Sequence, residues 1–296
     1  MWSRTRSAWR PGRWLSVRYV RSAPPHRSGP TTASHKSTLR VMLERGGLLP
    51  ATSAPFDFVS RQARMPSAYT FRRTRLPVSK AKALAQETGR TVIGIPTDTG
   101  DDEAVKALFA RTVEELGGVD ILVNSAATPW SAGAPTDFAS TTDDVVRREV
   151  EIKVLGYLRT ARAVAPHLVD QGWGRIINIS GLGARTANSI AQTIRNVSVS
   201  ALTKNLADEL GPKGINVSVV HPGITRTERF TDRLTAQSAE EGKTVEELEA
   251  GIVRNSIRRI IDASEVADVV TFLASPRSIA ITGDAIAAGG GVPGAV

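Results

Sequence analysis

Residues 174–223 read GRIINISGLGARTANSIAQTIRNVSVSALTKNLADELGPKGINVSVVHPG. The run RIINIS (175–180) is short, apolar and rich in β-branched residues, the composition of a buried strand. Residues about 188–210 keep helical spacing and stop at Gly211-Pro212, where glycine freedom and a proline ring end a helix. INVSVV (215–220) is a second strand, closed by His221-Pro222-Gly223. Strand, long helix and strand in that order predict a parallel sheet with a helix packed on its face.

The same alternation extends in both directions. Upstream, SKAKALAQETG (79–89) is the end of an amphipathic helix closed by Gly89, and TVIGIPTDTGD (91–101) is a buried strand ending near Asp98-Thr99. Val105, Leu108, Phe109, Val113 and Leu116 fall at helical spacing, VDILVNSAA (119–127) is the next strand, and residues 141–172 form one long helix with Val146, Val150, Leu155, Leu158 and Ala165 among its apolar positions. Downstream, Thr244 and Glu247 make a capping box ahead of another helix, SEVADVVTFLAS is a further helix, and AITGDAIAAGGG is a last strand and turn. The predicted fold is α/β, a Rossmann-like doubly wound parallel sheet.

The charge is unevenly placed. Residues 1–80 hold sixteen Lys/Arg against two Asp/Glu, a balance of +14 that leaves −5 for the rest of a chain whose total is +9. The globular part is therefore mildly acidic, which argues against nucleic-acid binding by it. Among the 296 residues there is no cysteine, which removes disulfides and thiolate metal sites and fits a reducing, cytoplasmic setting. The four histidines lack metal-ligand spacing, so no metal is expected, and no run approaches the roughly 18 apolar residues of a membrane span. Residues 1–77 are rich in Arg, Ser and Pro, and only Leu39–Leu43 and Ala68–Phe71 are candidates for local order. Three readings of this leader stand open: a disordered tail, a transit peptide, or a non-native start from a damaged reading frame. The expected organisation is a basic leader over 1–77 and the α/β domain over 78–296.

From about residue 78 onward the chain resembles the short-chain dehydrogenase/reductase family, and its β-ketoacyl-carrier-protein reductase type. TDTGD, DILVNSAA, GRIINIS with ALTKNLADEL, INVSVVHPGITRT and FLASPRSIAITGDAIAAGGG occur in the family's order. The resemblance implies an NAD- or NADP-dependent oxidoreductase acting on a small carbonyl or alcohol. It places Asp98 and Thr99 near the adenine ring and Asn124, Ser125 and Ala126 beside the cofactor ribose, with sheet packing an equal reading for Asn124. Pro222 and Gly223 fall beside the nicotinamide, and Thr227 at its carboxamide. It makes residues 228–258 a substrate lid, and implies a homodimer or tetramer through the helices near 142–170 and 188–210.

Two parts of the family pattern differ. The Gly-rich phosphate turn is expected about fifty residues before Asp98; the sequence there is LLPATSAPFDF, with no glycine between Gly47 and Gly89. The first β-α-β unit is thus expected to be missing or replaced, leaving the strand at 119–126 with an open apolar edge, and nicotinamide binding is expected to be weak or absent. The catalytic serine, tyrosine and lysine positions fall on Gly181, Gln192 and Asn196, and the family's fourth residue, asparagine, on Lys153. An amide cannot deliver a proton at neutral pH as a tyrosine lowered from about 10 can. A substitute site is the sharper expectation: Lys153 as cation, with Ser180 or Gln192 hydrogen-bonding an oxyanion and Arg195 and Asn196 alongside. The bland reading sends Lys153 and Arg195 to solvent. In that case the chain is a catalytically inactive binding or assembly protein of the same fold, or the product of a damaged frame.

Overall fold

The computed structural model describes residues 41–45, 67–71, 76–127, 137–187 and 189–293, all within one compact unit, Thr38–Val296. The chain runs β1 (Val41–Arg45), β2 (Ser67–Phe71), α1 (Leu76–Thr88), β3 (Val92–Pro96), α2 (Asp102–Leu116), β4 (Ile121–Asn124) and α3 (Asp143–Glu149). A π-helical segment (Val150–Leu155) leads into α4 (Gly156–Gln171), then β5 (Gly174–Ile179), α5 (Ile190–Leu210) and β6 (Ile215–Pro222). Last come β7 (Thr225–Arg226), α6 (Glu228–Glu241), α7 (Val245–Ile252), β8 (Ile261–Asp262), α8 (Ala263–Ala274) and β9 (Ala285–Ala288).

Seven strands form one sheet in the order β3-β2-β1-β4-β5-β6-β9, and every pairing is parallel. The strand order reverses between β1 and β4, so the crevice outside their carboxyl ends is the topological switch point, where open α/β sheets bind ligands. Two clusters cover the faces. Leu108, Phe109, Leu122, Val164, Leu168, Ile176 and Val217 pack under α2, α4 and α5, and Ile121, Val123, Ile177, Val220, Val266 and Val270 pack under α8. Ile121, Leu122 and Val123 are fully buried, as a strand covered on both faces requires.

The place of the first unit is filled. Val41 through Glu44 pair with Ile121 through Asn124, so the edge expected to stand open on β4 is covered by β1. Residues before 78 thus supply two strands of the sheet, β1 in its middle and β2 between β1 and β3. They overlap the two short pieces picked out for local order. The strand that ends at Arg45 is followed in the sequence by Gly46 and Gly47, so the residues after β1 do begin with a glycine pair. These two, the expected turn position LLPATSAPFDF and the rest of the leader lie outside the described residues.

The helix expected over 141–172 divides. In the π segment an extra residue enters the turn, and one residue is worth about 100° of helical phase. The core-facing residues after it are Tyr157, Thr160, Ala161, Val164 and Leu168, whereas Leu158 from the expected set is exposed. Elsewhere the local signals act as read. Gly89 has φ 63° after α1, and Thr244 and Glu247 close the reciprocal capping box of α7. The expected lid, 228–258, folds as α6 and α7 with the loop behind them.

Candidate active site

Three elements meet at the carboxyl ends of β5 and β6. The chain leaves β5 at Ser180 and Gly181 and enters a single 3-10 turn, Leu182–Ala184. α5 presents Asn196, and the π segment presents Lys153. Lys153 Nζ donates to Ser180 O at 2.9 Å and to Asn196 Oδ1 at 3.0 Å. Ser180 Oγ turns toward the same residue, donating to Asn196 O at 3.1 Å and lying 3.4 Å from Oδ1.

The lysine and the asparagine have exchanged positions relative to the family pattern. Lysine comes from the helix before β5 and asparagine from the helix after it, yet the amine and the amide still meet. Lys153 Nζ donates to both Ser180 O and Asn196 Oδ1, and the bond to Oδ1 sets the orientation of the Asn196 amide. Nδ2 is thereby aimed at the loop after β5. A methyl built on Gly181 or Gly183 would stand 3.2 or 3.1 Å from that nitrogen, so glycine at both positions leaves it uncovered. Among the described residues no hydrogen bond uses this N–H pair.

Lys153 is only 2% exposed and Arg195 only 7%, which overturns the expectation that they reach solvent. Arg195 forms a buried ion pair with Glu149 of α3. Burial pushes the Lys153 amine well below its ordinary pKa, the Arg195 charge lowers it further, and Glu149 opposes both. Removal from water disfavours the ammonium form, so the neutral amine is favoured here more than it is in water. Gln192 is half-buried one turn before Asn196, with no side-chain hydrogen bond among the described residues. Tyr157 cannot stand in for the missing tyrosine, because it is fully buried and its hydroxyl donates to Ile179 O at 2.9 Å.

The residues expected around a dinucleotide lie at the same end of the sheet. Asp98 Oδ1 accepts from Gly100 N at 2.9 Å, and Thr99 is buried, with its carbonyl taken by Arg159. Asn124 has both polar side-chain atoms engaged: Nδ2 donates to Asn178 Oδ1 at 2.9 Å, and Oδ1 accepts from Thr160 Oγ1 at 2.9 Å. The sheet-packing reading of its side chain is the one the structure gives. Small Ser125 and buried Ala126 follow it at the switch point. At the end of β6, Gly223 packs so closely that an added Cβ would lie 2.8 Å from Gly289 Cα. Thr227 caps α6, its Oγ1 accepting from Phe230 N at 3.2 Å, and its O–H can still donate. Small side chains and close backbone packing at the β4 and β6 ends therefore fit the nicotinamide half of a dinucleotide.

Sequence reading passed over Glu149, Ser200 and His221. Glu149 lies four residues before Lys153, and that acid–base spacing was the available signal. His221 had only its position beside Pro222-Gly223 to mark it. A cavity of about 320 Å³ at the amino ends of α3 and α5, lined by Phe138, Thr142, Val146, Arg147 and Ile190 among others, shares no residue with the Lys153 cluster.

A seven-stranded doubly wound parallel sheet with a polar cluster at the carboxyl ends of β5 and β6 has the architecture of a dinucleotide-binding fold. Residues 63–293 match the family model described as Enoyl-(Acyl carrier protein) reductase. The chain is 31% identical over 222 residues to the short-chain reductase protein NovJ of Streptomyces niveus, covering 75% of this chain and 82% of that protein. It is 32% identical to the human dehydrogenase/reductase SDR family member 4, covering 73% and 74%. Among solved structures, the NADPH-bound short chain oxidoreductase of Pseudomonas aeruginosa PAO1, described as containing an atypical catalytic center, superposes with a TM-score of 0.73 at 25% identity, covering 85% of this chain and 95% of that one. The chain belongs to the short-chain dehydrogenase/reductase family, and the family is one of nicotinamide-dependent oxidoreductases.

Proposed function

We propose that the protein reduces a small carbonyl compound, or oxidises the matching alcohol, with NAD or NADP, and that the Lys153–Asn196 pair serves the site in place of the family's tyrosine–lysine pair. The observation that carries this reading is the Lys153–Asn196 contact at 3.0 Å. An amine backs an amide whose N–H pair faces a loop kept open by Gly181 and Gly183. An N–H donor aimed at a carbonyl oxygen stabilises the negative charge that develops there, and loss of one such donor typically costs roughly 10²–10³ in rate. Burial shifts the Lys153 amine toward its neutral form, and groups perturbed in this way gather at sites that do chemistry. A bound nicotinamide supplies the hydride. Asp98 and Thr99 would face its adenine, Ser125 and Ala126 its ribose, and Pro222, Gly223 and Thr227 its nicotinamide. The atypical catalytic center of the Pseudomonas relative supports catalysis without the usual residues. The absence of cysteine supports a reducing compartment, the cytoplasm.

Titration of NADH and NADPH fluorescence against the full chain, followed by turnover of a panel of small ketones and aldehydes, tests the reading. With the first strand's place filled by β1, micromolar binding replaces the weak or absent binding expected from the sequence, and turnover that Lys153→Ala abolishes is expected. Turnover left unchanged by Lys153→Ala removes Lys153 from the mechanism, and failure to bind either nucleotide sinks the enzyme reading.

A second reading, an assembly protein of the same fold, draws on one surface feature. Ile190, Ile194 and Val197 form an exposed apolar stripe along α5, and Leu158 of α4 is exposed as well. Such a stripe suits a homodimer or tetramer through α4 and α5, and the assembly would hold with or without catalysis.

A further inference from the structure

His221 is 1% exposed and lies at the end of β6, between the loop after β5 and the middle of α5. Its Nδ1 is 3.3 Å from Gly181 N and 3.0 Å from Gly181 O, because Gly181 is extended and turns both backbone groups to the ring. On the other side Nε2 is 3.2 Å from Ser200 Oγ, and Ser200 Oγ donates to Asn196 O at 3.4 Å. In one tautomer Gly181 N–H donates to Nδ1 and Nε2–H donates to Ser200; in the other, Nδ1–H donates to Gly181 O and Ser200 donates to Nε2. The first tautomer leaves the Ser200 hydrogen for Asn196 O and so carries the bridge from Gly181 to Asn196; in the second that hydrogen goes to Nε2, and the ring is tied to α5 at Ser200 alone.

We propose that His221 is a positioning residue for the site: its ring sets the gap between Gly181 and the Asn196 amide, and so holds Asn196 Nδ2 toward the substrate. This rests on the Lys153–Asn196 reading of the site. The geometry is that of a spacer. Gly181 and Gly183 have no side chains to brace the loop, and the Asn196 nitrogen beneath them needs a fixed distance to be useful. A rigid ring with a hydrogen-bonding atom on each side supplies it, whereas Lys153 holds the opposite side of the same amide through Oδ1. The ring stays neutral near physiological pH. Burial, reinforced by the Arg185 charge and more weakly by Lys153, brings its pKa to about 4 against the opposing hydrogen bond to Gly181. A neutral imidazole accepts as well as donates, and the bridge needs both.

The test compares the side-chain amide resonances of Asn196 and Asn178 in the isotopically labelled full chain. Asn178 sits in the buried network below and reports general loosening. His221→Ala is expected to shift or broaden Asn196 and leave Asn178 in place. His221→Asn, whose Oδ1 can replace Nδ1 as the acceptor for Gly181 N–H, is expected to recover most of the Asn196 signal. In turnover, His221→Ala should lower kcat roughly ten- to hundred-fold with KM within about twofold, and His221→Asn should recover part of it. Ser200→Ala cuts the α5 end of the bridge and should move the same Asn196 resonance, which keeps a readout if His221→Ala does not fold. The proposal is overturned if Asn196 is unmoved by these changes, if Asn178 moves with it, or if His221→Asn recovers nothing. A wild-type chain without turnover would refute the proposed function, while the resonances would still decide the role of His221.

Discussion

Two buried polar assemblies lie one above the other between the sheet and helices α4 and α5. The lower one joins Thr160, Asn124, Asn178 and Thr203, each bond at 2.9 Å. It is neutral, and Thr203 Oγ1 passes its own hydrogen to Val199 O. The upper one joins Lys153, Ser180 and Asn196, with Arg195 and Glu149 alongside. It contains a buried amine beside a second cation, and one amide nitrogen uncovered toward the loop. A fully bonded neutral network fixes register and packing. A buried amine next to an arginine works against its own charged state, and such displaced proton affinities gather at sites that do chemistry. The residue types overlap, so the difference lies in charge and in what is left exposed to a ligand.

Asn178→Ala should have the largest effect on stability, because it strands the Asn124 amide and the Thr203 hydroxyl. Unfolding in urea is expected to show a loss of about 2–4 kcal/mol, with turnover per folded molecule little changed. Asn196→Ala should do the reverse, with activity down roughly 10²-fold or more and a stability change of about 1 kcal/mol. If the two variants resemble each other, the distinction between the layers fails.

Lys153→Met sharpens the comparison through pH. With its folded pKa lowered, Lys153 binds a proton more weakly in the native state than in the unfolded chain. Its contribution to stability is therefore fully present above the ordinary lysine pKa of 10.5 and is lost as pH falls toward the lowered value. Between pH 6 and pH 10 the melting temperature of the wild type should climb relative to Lys153→Met, and parallel curves would contradict the assignment. A smaller control lies outside both layers. Arg258 is the one non-glycine residue with positive φ among those described, at 52°. Arg258→Gly should raise stability by about 1 kcal/mol or less in urea unfolding.

Much of the sheet could be read from sequence because buried parallel strands leave continuous apolar runs, as ILVN and RIINI do. β1 and β2 were harder. VMLER and SAYTF are five residues each, carry charged or small residues, and sit in a stretch whose arginines dominate any average. Their assignment comes from pairing with β4 and β3, and pairing across that distance is invisible to a local pattern. The site was legible as positions. The spacing before ALTKNLADEL marks Gln192 and Asn196, and the position of the family's asparagine marks Lys153. That Lys153 and Asn196 touch, whereas Arg195 turns to Glu149, depends on the phase shift of the π segment, which no periodicity announces. His221 was invisible for a different reason, since a lone histidine at a strand end has no pattern to belong to.

The central position of β1 bears on how this chain tolerates cutting. A protease that stopped short of Val41 would leave all seven strands intact. One that cleaved a few residues further on would remove the strand between β2 and β4, and the break would fall in the middle of the sheet.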